Sequence, residues 1–206
     1  MALSTHTPDD RSQDQDRRPC LLVCNWSADE PVWDLIEDLS GIPWQAEGTR
    51  TELVPPSVDM VSLANDLAHK LLDQDARALL LIGRTRHEGA ARIQLRAEIP
   101  NDNGQRLSQD GPGVVRSTAP AAQISEALTK ARIPVIASSD NEIDDGSRLL
   151  YEVLTRLDDR LETTPAIALL RFPEAMPETT IAQAVKGAAN VMTQHLAPLP
   201  RFAPAR

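Results

Sequence analysis

Four short, wholly apolar runs constrain the fold of this chain more than any other feature. They are Leu21-Leu22-Val23-Cys24, Leu79-Leu80-Leu81-Ile82, Ile133-Pro134-Val135-Ile136-Ala137 and Ala166-Ile167-Ala168-Leu169-Leu170. None has the alternation of apolar and polar residues that marks a strand with one face in water. Runs of this kind are typical of strands in a mainly parallel sheet that is covered on both faces. We therefore expect a buried central sheet.

The segments between these runs carry apolar residues at the spacing of amphipathic helices. The clearest patterns cover residues 60–72, 124–128, 149–157 and 181–192. Alternating strands and helices predict an α/β protein, specifically a three-layer α/β/α sandwich with a mainly parallel central sheet. Residues 100–120, which are rich in Gly, Asn, Asp and Pro, are expected to form a long surface excursion, with a short hairpin as one alternative.

Length and composition favour a single domain and exclude several classes of function. We expect a disordered tail over 1–18, one domain over 19–196 and a flexible tail over 197–206. A net charge of -9 argues against a nucleic-acid binder, and no apolar stretch is long enough to span a membrane. Cys20 and Cys24 are too far apart along one strand for a disulfide, so a reduced, cytoplasmic protein is expected. No Cys and His spacing indicates a metal, and no cofactor is predicted.

Ligands of open α/β sheets bind beyond the carboxyl ends of the strands. The loops expected there cover 25–31, 83–92, 138–146 and 171–176. Several strings in these loops recur in the same order in one enzyme family. The strings are Pro31 and Trp33 after the first strand, Ile133-Pro134 with Ser138 and Tyr151, and Leu169-Leu170-Arg171-Phe172-Pro173 with Pro177. With these strings the chain resembles pyroglutamyl peptidase I, a family of cysteine peptidases that remove an N-terminal pyroglutamate from peptides.

The resemblance implies where a catalytic site would lie, and it places unsuitable side chains there. The positions of the family's catalytic Glu, Cys and His hold Gln94, Gly146 and Arg171. A glycine offers no nucleophile, and an arginine cannot take up a proton near neutral pH. The resemblance therefore implies a non-catalytic pseudo-peptidase. Its candidate pocket residues are Trp26, Asp29, Ser138, Asn141, Asp145 and Arg171.

The acidic loop of residues 140–145 has three alternative interpretations. Its four carboxylates could hold a cation, or Asp144 or Asp145 could cap the following helix, or the loop could pair with Arg171. Arg84, Arg86 and Arg92 could similarly attract an anionic ligand or lie in solvent.

Three functional hypotheses follow from these interpretations. The first is a pseudo-peptidase that binds a peptide, a small molecule or a protein partner. The second is an active hydrolase of pyroglutamyl or related amides with a relocated nucleophile, such as Cys24 beside His87. The third is a structural or assembly protein. The resemblance also implies a homo-oligomer, since members of the family assemble.

Overall fold

A computed structural model describes residues 18–26, 44–73, 76–98, 112–157 and 164–196. The predicted tails, except for Arg18, lie outside these residues. So do Asp29, the Pro31 and Trp33 matches, and most of the predicted surface excursion.

The described residues form eight strands and four helices. The strands are β1 (Cys20–Asn25), β2 (Arg50–Val54), β3 (Ala76–Thr85), β4 (Ala91–Gln94), β5 (Arg96–Ala97), β6 (Val115–Arg116), β7 (Val135–Ser138) and β8 (Ala166–Pro173). The helices are α1 (Met60–Leu72), α2 (Ala121–Lys130), α3 (Asp145–Arg156) and α4 (Glu178–Leu196). All four predicted apolar runs lie in or overlap strands, and all four helical patterns are confirmed.

Six strands form the central sheet in the order β2-β1-β3-β8-β4-β7. β2, β1, β3 and β8 are parallel to one another, whereas β4 pairs with β8 in the antiparallel sense and β7 runs parallel to β4. The mainly parallel sheet is therefore confirmed. The expectation that the loop after β7 leaves the same edge as the other loops was wrong, because β7 runs in the opposite direction.

Helices cover both faces of this sheet. α1 and α3 pack on each other over one face, and α2 packs on α4 over the other. Side chains of β1 alternate between the two cores, with Leu22 and Cys24 in the first and Leu21 and Val23 in the second. The three-layer sandwich is thus confirmed. No helix within the described ranges is long and apolar enough to cross a membrane.

Two strands of the central sheet lack the apolar signature and were not predicted. β2 is an edge strand with every residue partly exposed, and β4 reads Ala-Arg-Ile-Gln. The small ladder of β5 with β6 is antiparallel; β5 precedes the predicted surface excursion, and β6 lies within it. Arg171 was expected in a loop, but it lies inside β8 with a side chain that is 1% exposed.

Candidate functional site

A buried arginine organises the polar centre of the protein. The Arg171 Nε donates to Gln94 Oε1 at 2.7 Å. Its Nη1 donates to the Arg84 carbonyl at 3.1 Å and to Asp144 Oδ2, and its Nη2 donates to Asp144 Oδ1 at 2.7 Å and to Ser147 Oγ at 2.9 Å. A guanidinium has five N–H donors. All five are engaged here, which explains how a charged side chain can be buried in this position.

Asp144 links this centre to the start of helix α3. It is the N-cap residue of the helix, and its Oδ1 accepts from the Ser147 N–H at 2.9 Å. The same carboxylate forms a bidentate ion pair with Arg171. Of the three interpretations of the acidic loop, the cap and the ion pair are therefore both confirmed. Asp145 does not cap the helix, because it already belongs to the first turn and is exposed.

The other carboxylates of the acidic loop are held apart by separate partners. Asp140 pairs with Arg92 at 2.8 Å, and Glu142 accepts a hydrogen bond from the Thr85 hydroxyl at 2.5 Å. Within the described ranges, no three His, Cys, Asp or Glu side chains are grouped so that they could hold a metal ion. The cation interpretation of this loop therefore gains no support.

Gln94 uses both ends of its amide in the same network. Its Oε1 accepts from Arg171, and its Nε2 donates to Ser147 Oγ at 2.8 Å and to the Arg96 carbonyl at 2.9 Å. It is 2% exposed. A glutamate carboxylate at position 94 could accept the hydrogen bond from Arg171 but could not donate one to Ser147 or to the Arg96 carbonyl, because an ionised carboxylate has no proton. The site as it stands is therefore built for an amide at position 94.

The indole of Trp26 fills the space above this network. A Cβ added to Gly146 would lie 2.7 Å from Trp26 Cε2, and a Cβ added to Gly83 would lie 2.1 Å from Trp26 Cζ2. No side chain fits at either glycine while the ring keeps its place. The guanidinium carbon of Arg171 lies 5.1 Å from the ring centre, a cation–π distance. Trp26 thus wedges between two glycines and the buried arginine.

An open cleft of about 460 Å³ remains beside the wedge. It is lined by Trp26, Arg84, Thr85, Arg86, Glu142, Asp144 and Glu174. Four segments supply these residues: the residue after β1, the end of β3, the acidic loop and the turn after β8. The acidic loop is tied to the end of β3, where Glu142 also accepts from the Arg86 N–H at 3.3 Å.

The structure brings most of the sequence-predicted site residues together. Ser138 ends β7 and accepts from Arg92 at 2.7 Å, while Asn141 accepts from Gln94 Nε2 at 3.4 Å. Asp145 forms no hydrogen bond or ion pair with Arg171. Gly83 and Ser147 were not predicted. For Gly83, the signal available was a glycine within an apolar strand, which often marks a close approach of another group.

The alternative nucleophile Cys24 lies in the apolar core. Burial raises the pKa of its thiol from 9.0 to about 12, and its Sγ lies 3.6 Å from the Asn25 carbonyl oxygen. His87 is exposed in the turn that follows β3, whereas Cys24 pairs in the sheet with Leu81, six residues before His87. The alternative of a catalytic Cys24–His87 pair therefore gains no support, and Cys24 is a buried strand cysteine.

Comparisons with known proteins identify the fold. No protein-family model matches the chain, and no curated protein sequence matches it. A mutant pyrrolidone carboxyl peptidase from Pyrococcus furiosus matches in structure with a TM-score of 0.66 at 16% identity, covering 86% of this chain and 99% of that one. Pyroglutamyl peptidase I from Bacillus amyloliquefaciens matches with a TM-score of 0.65 at 17% identity, over 85% and 95% of the two chains.

The pyrrolidone carboxyl peptidase from Thermus thermophilus is similar to the same extent. Its TM-score is 0.63 at 19% identity, with 84% of this chain and 99% of that chain covered. The resemblance that the sequence motifs indicated is thus confirmed for the fold, and the chain has the architecture of the pyroglutamyl peptidases.

Proposed function

We propose that this protein is a non-catalytic relative of the pyroglutamyl peptidases that acts by binding a ligand in the cleft beside Trp26. The observation that carries the proposal is the complete engagement of Arg171. At the position where the resemblance implies a catalytic histidine, the side chain is a buried cation whose donors all serve the fold.

The chemistry of amide hydrolysis supports the proposal that the protein is non-catalytic. A cysteine peptidase needs a thiolate to attack the carbonyl carbon and an imidazole to carry the proton to the leaving amine. Gly146 supplies no nucleophile, and Arg171 cannot act as a general base near neutral pH. Losing one member of such a catalytic unit costs up to about a millionfold in rate in other hydrolases.

The packing of the site points in the same direction. Trp26 lies against Gly146 and Gly83, so the space next to the implied nucleophile position is taken up by protein. In place of the implied Cys–His pair, the site holds the Asp144–Arg171 ion pair. Such a pair, with every donor matched, keeps the loops in place around the cleft without providing a reactive group.

The direct test is hydrolysis of a fluorogenic pyroglutamyl amide by the purified protein. We expect a rate equal to that of a heat-denatured sample, with the Bacillus amyloliquefaciens enzyme as positive control. Release at a rate comparable to that enzyme would overturn the proposal. In that event Cys24→Ala decides the relocated-nucleophile hypothesis, because only that hypothesis requires the variant to lose the activity. A homo-oligomer remains a prediction, which light scattering tests directly.

A further inference from the structure

The cleft beside Trp26 has charged walls, and most of their charges are already engaged. Asp144 is paired with Arg171, and the Glu142 carboxylate accepts from the Thr85 hydroxyl and the Arg86 N–H. The Nη1 of Arg84 donates to the Pro173 carbonyl at 3.3 Å. These groups shape the cleft, but their hydrogen-bonding capacity is largely directed at the protein itself.

Two lining side chains differ from the rest. The Arg86 guanidinium and the Glu174 carboxylate form no ion pair or hydrogen bond with any other residue in the described ranges. Both are exposed, and both line the cleft. The cleft therefore offers one unpaired positive group and one unpaired negative group.

The sheet register places these two groups side by side. Thr85 pairs with Pro173 as the last partners of the parallel strands β3 and β8. Arg86 and Glu174 directly follow these two residues, just beyond the ends of the strands. Their backbones therefore leave neighbouring strands, which lie about 4.8 Å apart in a sheet. Their charged ends nevertheless form no ion pair. An exposed pair of this kind is weak in water, so a ligand can insert between the two groups with little competition.

We propose that this cleft binds a small zwitterion, a free α-amino acid or a short peptide with both termini free. The ligand carboxylate pairs with Arg86, whose planar guanidinium can donate two parallel hydrogen bonds to it, and the ligand ammonium pairs with Glu174. The part of the Trp26 ring that lines the cleft offers an apolar contact for the ligand side chain. A pyroglutamyl group has no ammonium, so it cannot make the second contact.

This inference rests on the proposed function, since a ligand that was hydrolysed would not stay bound. The test is isothermal titration calorimetry of the full chain with leucine and with glycyl-leucine, which separate the amino acid from the peptide. N-acetyl and C-terminal amide derivatives of each remove one charge at a time. We expect saturable binding of at least one zwitterion, and binding weaker by about two- to fivefold when either charge is removed, the size of effect that an exposed ion pair has.

Two variants link each ligand charge to its partner. Arg86→Gln is expected to weaken binding of the zwitterion but not of the amide derivative, which has no carboxylate. Glu174→Gln is expected to weaken binding of the zwitterion but not of the N-acetyl derivative, which has no ammonium group. Arg148→Gln and Glu178→Gln, which remove exposed charges outside the cleft lining, serve as controls that should change nothing.

Two results would overturn the inference. One is the absence of saturable binding up to about 10 mM of either zwitterion. The other is equal affinity for the charged and derivatised ligands. Neither result bears on hydrolysis of the pyroglutamyl substrate, so failure here is distinguishable from failure of the proposed function.

Discussion

Replacing Gly146 by alanine should destabilise the protein, although the same change within a helix is usually favourable. Gly146 lies in the first turn of α3, where alanine would gain about 0.5 to 1 kcal/mol over glycine. The added Cβ, however, would lie 2.7 Å from Trp26 Cε2, and the ring cannot retreat toward Gly83 because it already fills that space. Overpacking of this kind costs about 1 to 3 kcal/mol. We expect a net loss of about 1 kcal/mol.

Removing the ring should reverse the sign of this effect. In a Trp26→Ala background, which by itself costs about 3 kcal/mol, Gly146→Ala should stabilise the protein by about 0.5 kcal/mol. Equilibrium unfolding in urea of the wild type, both single variants and the double variant measures the coupling between the two positions. Gly187→Ala in α4 is the matched control, and its effect should be the same in both backgrounds. An effect of Gly146→Ala that is favourable in the wild type, or identical in both backgrounds, would refute the wedge.

Three further predictions concern the buried network and the core. Arg171→Met should lower the free energy of unfolding in urea by about 3 kcal/mol, because it leaves the Asp144 carboxylate without a compensating charge. Adding Asp144→Asn should recover part of the loss, and an unchanged stability of Arg171→Met would contradict this prediction. Burial in the folded protein raises the pKa of the Cys24 thiol from 9.0 to about 12, so the unfolded chain loses this proton at a lower pH than the folded protein does. The free energy of unfolding should therefore fall as the pH rises above 9.0, and Cys24→Ala should make that fall less steep between neutral pH and about pH 10.5. Tyr151→Phe removes a hydrogen bond of 2.7 Å to the Pro112 carbonyl and should lower the unfolding free energy by about 1 kcal/mol, whereas an unchanged urea midpoint would show that this bond adds nothing.

The architecture could be predicted wherever burial leaves a local pattern. Strands covered on both faces are apolar throughout, and the helices that cover them are amphipathic, so these elements were visible in the sequence. β2 and β4 were missed for opposite reasons. β2 lies at an edge with partly exposed residues, and β4 is interior but carries Arg92 and Gln94, whose partners are remote in the chain. Burial of polar residues that find distant partners leaves no local signal.

The candidate site was only partly accessible to the same reasoning. The ion pair between Arg171 and the acidic loop was one of three alternatives, and the helix cap was another. Both hold, because a carboxylate has room for several donors and Asp144 serves both at once. The wedge could not be predicted, since it depends on how Trp26, Gly83 and Gly146 meet across three separate segments. The reversed direction of β7 was likewise a property of the whole sheet.

The position of β8 has a consequence for how the protein is synthesised. This strand is the last of the described strands along the chain, yet it lies between β3 and β4 in the middle of the sheet. Until residues 166–173 leave the ribosome, the sheet can exist only as two fragments, β2-β1-β3 and β4-β7, each with an unpaired inner edge. Such edges are sites of aggregation, and pairing over long sequence separations is slow. Because β8 also carries Arg171, the two fragments can join, and the ion-pair network can form, only after β8 has been synthesised.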